Sequence, residues 1–207
     1  MTNNMREYLK ELIVTLVIAF VLSMVLRTWI IEGRSVPTGS MLPTIQLKDR
    51  LLVNKLVYHF KDPQRGDIMV FRPPDQIGAT DDFVKRLIAV PGDKVEIKKG
   101  QLYINDKVQP ESYLTAAMNY EFGPVVVPAN SYFVMGDNRN NSFDSHLWGA
   151  WLTRDHLIGK AFCIYWPFDH VQALKRGNRL DFLPPPPVAP RLYARVAVLS
   201  FKCGPTF

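Results

Sequence analysis

Residues 83–109 carry the clearest structural signal in the chain: FVKRLIAVPGDKVEIKKGQLYINDKVQ. Apolar and β-branched residues fill its runs, and Pro91-Gly92 separates the first run from the second. Lys99-Gly100 and Asn105-Asp106 stand between the later runs at the spacing of tight hairpin turns. We therefore predict a strand at residues 83–90, followed by a compact antiparallel meander.

The same signal repeats on both sides of this stretch. Short runs of β-forming residues are bounded by proline and glycine pairs and recur at intervals of about 8–20 residues. Such spacing favours antiparallel strands over alternating strands and helices. We expect a mainly β fold, an antiparallel sheet or partly closed barrel, with a brief helical turn at residues 153–156 and further strands at residues 51–58, 67–73, 132–135 and 160–166.

An apolar segment precedes the β-rich region. Residues 12–26 carry no charge, and the segment continued to Ile31 has about 20 residues, enough to span roughly 30 Å as a helix. It lacks the small-residue cleavage site that a removable secretion signal requires. We predict one N-terminal transmembrane helix at residues 11–31. Basic residues flank it on both sides, so charge alone leaves its orientation open.

Composition narrows the class of function. The 207 residues are 47% hydrophobic and 21% charged, which excludes wholesale disorder. Two cysteines exclude a disulfide-rich scaffold and lack the paired spacing of a structural zinc site. The net charge is +6 without any run of lysine and arginine, so we expect attraction to a lipid bilayer and no nucleic-acid partner.

The C-terminal part of the chain differs in composition. Residues 171–207 include four consecutive prolines at 184–187, which favour an extended conformation. We predict a Pro-rich tail of unknown role. Cys163 lies in a predicted strand and Cys203 in this tail. Whether the two form a disulfide stays open.

Four stretches contain the candidate catalytic residues: VPTGSMLPT (36–44), RGDIMVFRP (65–73), FVKRLIAVPGD (83–93) and MGDNRNNSFDSHLWG (135–149). Each alone is also typical of a turn, a strand or an Asx-rich loop. A Ser40 nucleophile needs a base within about 2.6–3.2 Å that accepts its proton. None of the four histidines has an acidic partner at a familiar triad spacing, so we expect each of them to be structural.

Lys85 is the alternative base. A free lysine has a pKa of about 10.4, so burial has to lower it by several units before the amine can accept a proton at neutral pH. Strand alternation places Phe83 and Leu87 on the same face as Lys85, and Arg86 on the opposite face. This pattern permits an apolar surrounding for the amine.

Two further hydroxyl groups fit the same chemistry. The Ser40 amide and the Thr38 hydroxyl are candidate donors to an oxyanion, and Ser142 is a candidate partner that orients the Lys85 amine. The loop that begins at Asp137 does not match a calcium-binding EF-hand, whose residue types are missing at its third and sixth positions. We expect neither a metal site nor a cofactor.

The apolar segment followed in order by these four stretches resembles the bacterial type I signal peptidases, membrane-bound serine proteases of family S26 with a Ser/Lys dyad. The resemblance extends to about Pro167. It implies that Ser40 is the nucleophile, Lys85 the general base, Thr38 with Ser40 the oxyanion hole, and Ser142 the residue that orients the lysine. It also implies structural support from Asp137 and Asp144, and substrate binding by Met41, Ile45, Asp82, Phe83 and Val84.

The resemblance also implies a function. A membrane-anchored serine endopeptidase would cleave N-terminal signal peptides from exported preproteins after small, Ala-x-Ala-like residues. An extended substrate would add a strand at a sheet edge, with shallow pockets that admit only small side chains. Residues 1–10 would lie in the cytoplasm, and residues 32–170 would form the catalytic domain on the extracytoplasmic side of a cell membrane or a thylakoid membrane.

Two positions depart from the family pattern. Asn140 stands where many members have aspartate, and His146 stands where many have arginine. Both belong to the stretch that supports the proposed dyad and not to the dyad itself. We therefore expect them to affect stability or pH range more than the chemistry.

Two other functions would fit parts of the same sequence. A catalytically inactive, membrane-anchored β-domain would bind extended peptides without cutting them, and the joint presence of Ser40, Lys85 and Ser142 argues against it. A self-cleaving regulator with a similar Ser/Lys pair would carry a DNA-binding helix-turn-helix, whereas this N-terminus carries an apolar segment.

Overall fold

The computed structural model describes residues 2–177, in which one N-terminal helix precedes a β-rich domain. Helix α1 spans Thr2–Val25 and continues as a short π-helix, Leu26–Ile30, and strand β1 begins at Ile31. The helix that the sequence predicts is therefore present, and it ends one residue before the predicted position. No helix among the described residues has both the length and the apolar character needed to cross a membrane.

Short strands make up most of the remaining chain. They are β1 (Ile31–Ser35), β2 (Arg50–Asn54), β3 (Ile68–Phe71), β4 (Phe83–Ala89), β5 (Lys94–Lys98), β6 (Gln101–Ile104), β7 (Lys107–Val108), β8 (Phe122–Val126), β9 (Ser131–Met135), β10 (Leu152–Thr153), β11 (Leu157–Trp166) and β12 (Gln172–Ala173). Two one-turn helices, α2 (Val57–Phe60) and α3 (Ser145–Trp148), lie between them. The predicted helical turn near residue 155 is a 3-10 turn, Arg154–His156.

Two antiparallel sheets result. The larger has the order β1-β2-β11-β3-β4-β9-β10, with β12 paired to β11, and the smaller has the order β7-β6-β5-β8. An ion pair joins Arg34 in β1 to Asp82, the residue before β4, at 2.7 Å. Because β1 and β4 stand first and fifth in the sheet order, this contact requires the sheet to curl. The predicted fold, a mainly β antiparallel sheet in a partly closed barrel, is confirmed.

The curled sheet encloses an apolar core. Strands β2, β3 and β11 contribute buried side chains to it, and Val84 of β4 packs against them from the side. Two residues of the connection between β1 and β2, Met41 and Ile45, lie in the same core with exposed fractions of 1% and 0%. This connection is therefore fixed to the barrel at two points, which both follow the candidate nucleophile Ser40 in the chain.

The hairpin turns of the smaller sheet follow the sequence prediction. Lys99 and Gly100 have φ angles of 51° and 75°, and Asn105 and Asp106 have φ angles of 53° and 65°. Left-handed backbone at both central residues is the geometry of a two-residue type I′ turn. The predicted meander from β5 to β7 is confirmed.

The strand predicted for residues 51–58 is wrong in its second half. Strand β2 ends at Asn54, whose side-chain oxygen accepts hydrogen bonds from the backbone N–H groups of Leu56 and Val57, each at 3.0 Å. An asparagine that binds the backbone two and three residues later competes with the strand ladder and starts a turn. Helix α2 follows from that turn.

Part of the predicted tail belongs to the domain. Strand β12 pairs with β11, Leu174 packs against the barrel core, and Arg176 Nε donates to Asp67 Oδ1 at 2.5 Å. The rest of the predicted tail, residues 178–207, lies outside the described residues. Cys203 and the open disulfide to Cys163 lie outside them as well.

Candidate active site

Ser40 lies in a tight loop between β1 and β2. The Leu42 N–H donates to the Gly39 carbonyl oxygen at 3.2 Å, and the Ile45 N–H donates to the Met41 carbonyl oxygen at 3.0 Å. Because Met41 and Ile45 are buried, the loop cannot move away from the barrel without exposing both side chains. Ser40, directly before Met41, is half-buried and lines a groove.

A second loop, residues 136–142, holds the Ser40 loop from the other side. The Asn138 N–H donates to the Ser40 carbonyl oxygen at 3.0 Å, and the Asn138 side-chain amide donates to the Gly39 carbonyl oxygen at 3.2 Å. Thr44 Oγ1 donates to Asp137 Oδ2 at 2.5 Å. Neither Asn138 nor Thr44 stood among the residues that the sequence singled out for the site.

Gly136 sets the distance between the two loops. A Cβ atom at this position would collide with both the Ser142 Oγ and the Ser40 carbonyl oxygen. The two serines therefore converge on one point where only glycine fits. The glycine of the Met-Gly-Asp-Asn stretch is visible in the sequence, but its role depends on a contact between segments nearly 100 positions apart.

Lys85 lies in β4 beside this point. Its side chain is buried, with a residue exposure of 4%, and its Nζ donates to Ser142 Oγ at 3.0 Å. The Phe83 ring, on the same face of the strand, has its centroid 5.7 Å from Nζ. The structure thus brings Lys85, Ser142 and Phe83 together.

Burial has the chemical effect that the base requires. It lowers the pKa of Lys85 from 10.5 to about 8, against the negative charges of Asp144 and Asp137, which favour the protonated amine. With that pKa, about one amine in ten is uncharged at pH 7. An ordinary lysine would leave fewer than about one in a thousand uncharged.

The hydroxyl group of Ser40 has a different partner. Its Oγ lies 3.3 Å from Thr38 Oγ1, and no hydrogen bond joins it to Lys85 Nζ within the described part of the chain. Ser40 and Lys85 nevertheless line one groove with a volume of about 580 Å³. The Thr38 hydroxyl is therefore the hydrogen-bonding neighbour of the Ser40 hydroxyl in this groove.

The two acidic residues of the site are buried. Asp137 pairs with Arg86, the neighbour of Lys85 on the opposite face of β4, and Asp144 caps helix α3. Asp144 Oδ2 accepts the Gly136 N–H at 2.9 Å, and its Oδ1 lies 2.6 Å from His146 Nδ1. Asp137 therefore fixes strand β4, and Asp144 fixes the backbone of the 136–142 loop; both segments carry groove-lining residues.

The groove runs along unpaired strand edges. Strand β4 pairs with β9 only from Arg86 onward, so residues 83–85 have a strand neighbour on the β3 side alone. Strand β1 stands at the end of the sheet order. Free edges of this kind accept an additional extended chain. The groove is lined by four of the five residues expected to bind substrate, Met41, Asp82, Phe83 and Val84.

Ile45, the fifth of these residues, lies in the barrel core and does not line the groove. Its exposed fraction is 0%. In this structure its contribution is to fix the Ser40 loop, because it anchors the end of the turn that begins at Met41.

Several known proteins are similar in sequence to this chain. The signal peptidase family, peptidase S26, matches residues 9–166. The chain is 46% identical to the probable signal peptidase I-2 of Synechocystis over 79% of this chain and 76% of that protein, and 42% identical to signal peptidase I of Leptolyngbya laminosa over 86% of each. It is 38% identical to the chloroplastic thylakoidal processing peptidase 1 of Arabidopsis thaliana over 77% of this chain and 51% of that protein.

Proposed function

The chain belongs to the signal peptidase family, peptidase S26, and we propose that Ser40 and Lys85 carry out its reaction. Family membership makes it a serine endopeptidase that cleaves signal peptides from preproteins. The alternative of an inactive peptide-binding β-domain is not supported, since these relatives are named as peptidases.

The proposed reaction starts with a rotation of the Ser40 side chain from Thr38 towards Lys85. Ser40 Oγ then bonds to the carbonyl carbon of the scissile amide while its proton passes to the uncharged Lys85 amine. Lys85 returns this proton to the leaving nitrogen, the C–N bond breaks, and an acyl-enzyme remains. A water molecule gives a proton to Lys85, adds to the ester carbon and releases Ser40 with its proton restored.

Rotation of Ser40 has a second consequence. It frees the Thr38 hydroxyl from its 3.3 Å contact with Ser40 Oγ, so that Thr38 and the Ser40 N–H can both donate to the oxyanion. The hydrogen bond from Lys85 to Ser142 holds the amine in place during these steps, because the dyad has no carboxylate that could orient the base. The single observation that carries the proposal is the buried Lys85 with its lowered pKa in the groove of Ser40.

We propose that the substrate binds as an extended strand along residues 83–85 of β4. Met41 and Val84 present apolar atoms to this groove. Shallow apolar pockets accept small side chains and exclude large ones, which fits cleavage after Ala-x-Ala-like residues. Asp82 is held by Arg34 at the entrance and fixes the start of the strand.

We also propose that α1 associates the enzyme with a membrane, with residues 32–177 on the extracytoplasmic side. Large apolar side chains cover α1 on all sides from Leu12 to Met24, and each of them is more than half exposed. A helix that is apolar all round is stable when lipid or protein covers it. Preproteins are membrane-inserted as well, so a shared bilayer raises their effective concentration at the groove.

Replacement of the two catalytic side chains tests the proposal. Ser40→Ala and Lys85→Ala, assayed on a preprotein in detergent, should each lower kcat/KM by at least about 10³-fold. The exposed lysine variant Lys98→Ala should cleave at the wild-type rate. The wild-type rate should rise with pH through a midpoint near 8, the pKa of Lys85, to a plateau above about 9, where Lys85 is largely uncharged. Unchanged cleavage by either catalytic variant, or a flat pH profile, would rule out the dyad.

A further inference from the structure

The two residues that depart from the family pattern contact the same segment, residues 117–120. Asn140 Nδ2 donates to the Ala117 carbonyl oxygen at 2.9 Å, and Asn140 Oδ1 accepts the Asn119 N–H at 3.0 Å. The His146 ring stacks on the Tyr120 ring, with 4.3 Å between centroids and 6° between planes. Both residues that depart from the family pattern therefore make specific contacts in this chain.

The contacts of His146 fix its ring from two directions. Tyr120 covers one face, and Phe122 stands perpendicular to the ring with 6.4 Å between centroids. With the ring held by these two contacts, its Nδ1 points at Asp144 Oδ1, 2.6 Å away. His146 is nearly buried, with a side-chain exposure of 9%, so this orientation has few alternatives.

Asp144 connects His146 to the base. Its second oxygen accepts the N–H of Gly136, where an added Cβ atom would collide with both Ser142 Oγ and the Ser40 carbonyl oxygen. Among the charges that raise the pKa of Lys85 against the effect of burial, Asp144 is the largest. Any change in the net charge of the pair formed by Asp144 and His146 therefore changes the pKa of Lys85 as well.

We propose that His146 is a positioning residue of the cleavage reaction that sets, through its bond to Asp144, the pH range in which Lys85 acts as the base. A permanently charged arginine at this position would neutralise Asp144 at every pH. Any charge that the side chain at this position places beside Asp144, 2.6 Å from Nδ1 in His146, therefore counteracts the effect by which Asp144 favours the protonated amine of Lys85. The inference rests on the proposed roles of Ser40 and Lys85.

Three ionisable residues, Tyr120, Arg139 and Asp144, surround the His146 ring or its stacking partner. Tyr120, on the neighbouring segment, has its pKa raised by burial, so it stays neutral. Arg139 accepts the Tyr120 hydroxyl on its backbone oxygen and pairs with Glu111 through its guanidinium group. Within the described residues, Asp144 is the one carboxylate hydrogen-bonded to the His146 ring.

The test is the pH profile of kcat/KM for preprotein cleavage by the full-length chain in detergent. For His146→Arg we expect the midpoint of the rise to move down by about 0.5–1 pH unit, so that the rate at pH 6.5 relative to its own plateau increases about 3–10-fold. His146→Gln, which keeps a neutral donor for Asp144, should keep the wild-type midpoint. His146→Lys replaces the arginine variant if circular dichroism shows that the latter is unfolded.

His170→Arg is the matched control. His170 also pairs with a buried aspartate, Asp49, at 3.0 Å, but Asp49 is not among the charges that act on Lys85. The midpoint of the His170→Arg profile should equal that of the wild type. If the wild-type rate rises with pH and the profile of the charged His146 variant superimposes on it, this inference is overturned. The proposed dyad is then left intact. A flat wild-type profile overturns the dyad, and the inference with it.

Discussion

Arg86 and Asp137 form a buried, bidentate ion pair between β4 and the 136–142 loop. Arg86 Nε donates to Asp137 Oδ1 at 2.8 Å and Nη2 donates to Oδ2 at 2.6 Å, with side-chain exposures of 1% and 0%. Thr44 donates to the same carboxylate. Because Lys85 precedes Arg86 on the opposite face of β4, one ion pair fixes the strand of the base, the loop of Ser142 and the loop of Ser40 together.

Loss of the Asp137 charge should destabilise the domain strongly. In Asp137→Asn the Arg86 guanidinium stays buried without a counter-charge, which typically costs about 3–5 kcal/mol of unfolding free energy. Chemical denaturation measures the difference. Asp106→Asn breaks the exposed pair with Lys94 and should change stability by less than about 1 kcal/mol. Equal effects of the two variants would contradict a special role of the buried pair.

Ser142 and Ser145 are matched in burial but differ in their partners. Both are 8% exposed; Ser142 Oγ accepts from Lys85, whereas Ser145 Oγ accepts the Val134 N–H at 3.0 Å. Ser142→Ala should lower kcat/KM roughly 10²-fold, within the range that a positioned base contributes. Ser145→Ala should lower stability by about 1 kcal/mol and keep the cleavage rate near that of the wild type. A reversed pattern would assign the lysine another orienting partner.

Thr38 is expected to act on kcat and not on substrate binding. Thr38→Val keeps the shape of the side chain but removes the donor, and loss of one oxyanion donor typically costs about 10²–10³ in kcat. KM should change little, since the oxyanion exists only during the reaction. Thr38→Ser restores the hydroxyl and should restore most of the rate. Steady-state kinetics on a preprotein separates the two constants, and a valine variant with normal kcat would exclude the role.

The sequence predicts those features of the fold that local chemistry determines. The turns at Lys99-Gly100 and Asn105-Asp106 need left-handed backbone, and these residue types supply it. Strand alternation around Lys85 likewise anticipates its apolar face. Strand β1 was missed because its residues, IEGRS, lack the alternation of a strand and gain their ladder only from β2.

The parts of the site that depend on distant contacts could not be predicted in the same way. No local pattern tells that Gly136 lies against Ser40, or that Arg86 is the partner of Asp137, because these pairs are 96 and 51 positions apart. The orientation of the Ser40 hydroxyl towards Thr38 is likewise a property of the folded loop. The candidate residues followed from their chemistry and the family resemblance, and their supporting contacts required the structure.

Lys85 should lower the stability of the protein at neutral pH. Its pKa in the folded state, about 8, is below the 10.5 of an exposed lysine, so folding disfavours the charged amine. The cost is fully present below pH 8, amounts to about 3 kcal/mol on the scale of 1.36 kcal/mol per unit, and fades as the pH rises from 8 to 10.5.

Lys85→Met removes this cost and keeps the length of the side chain, so it should raise the Tm at pH 7 by several degrees. The gain should shrink towards zero near pH 10.5, where both states of the wild type lose the proton. Thermal unfolding in detergent at several pH values measures this difference, with Lys98→Met as the exposed control. A methionine variant with a lower Tm than the wild type at pH 7 would show that the hydrogen bond to Ser142 and the field of Asp144 outweigh the burial of the charge. The uncharged fraction of Lys85 at pH 7 would then be below about one in ten, and the enzyme would have to rely on substrate binding to release the proton.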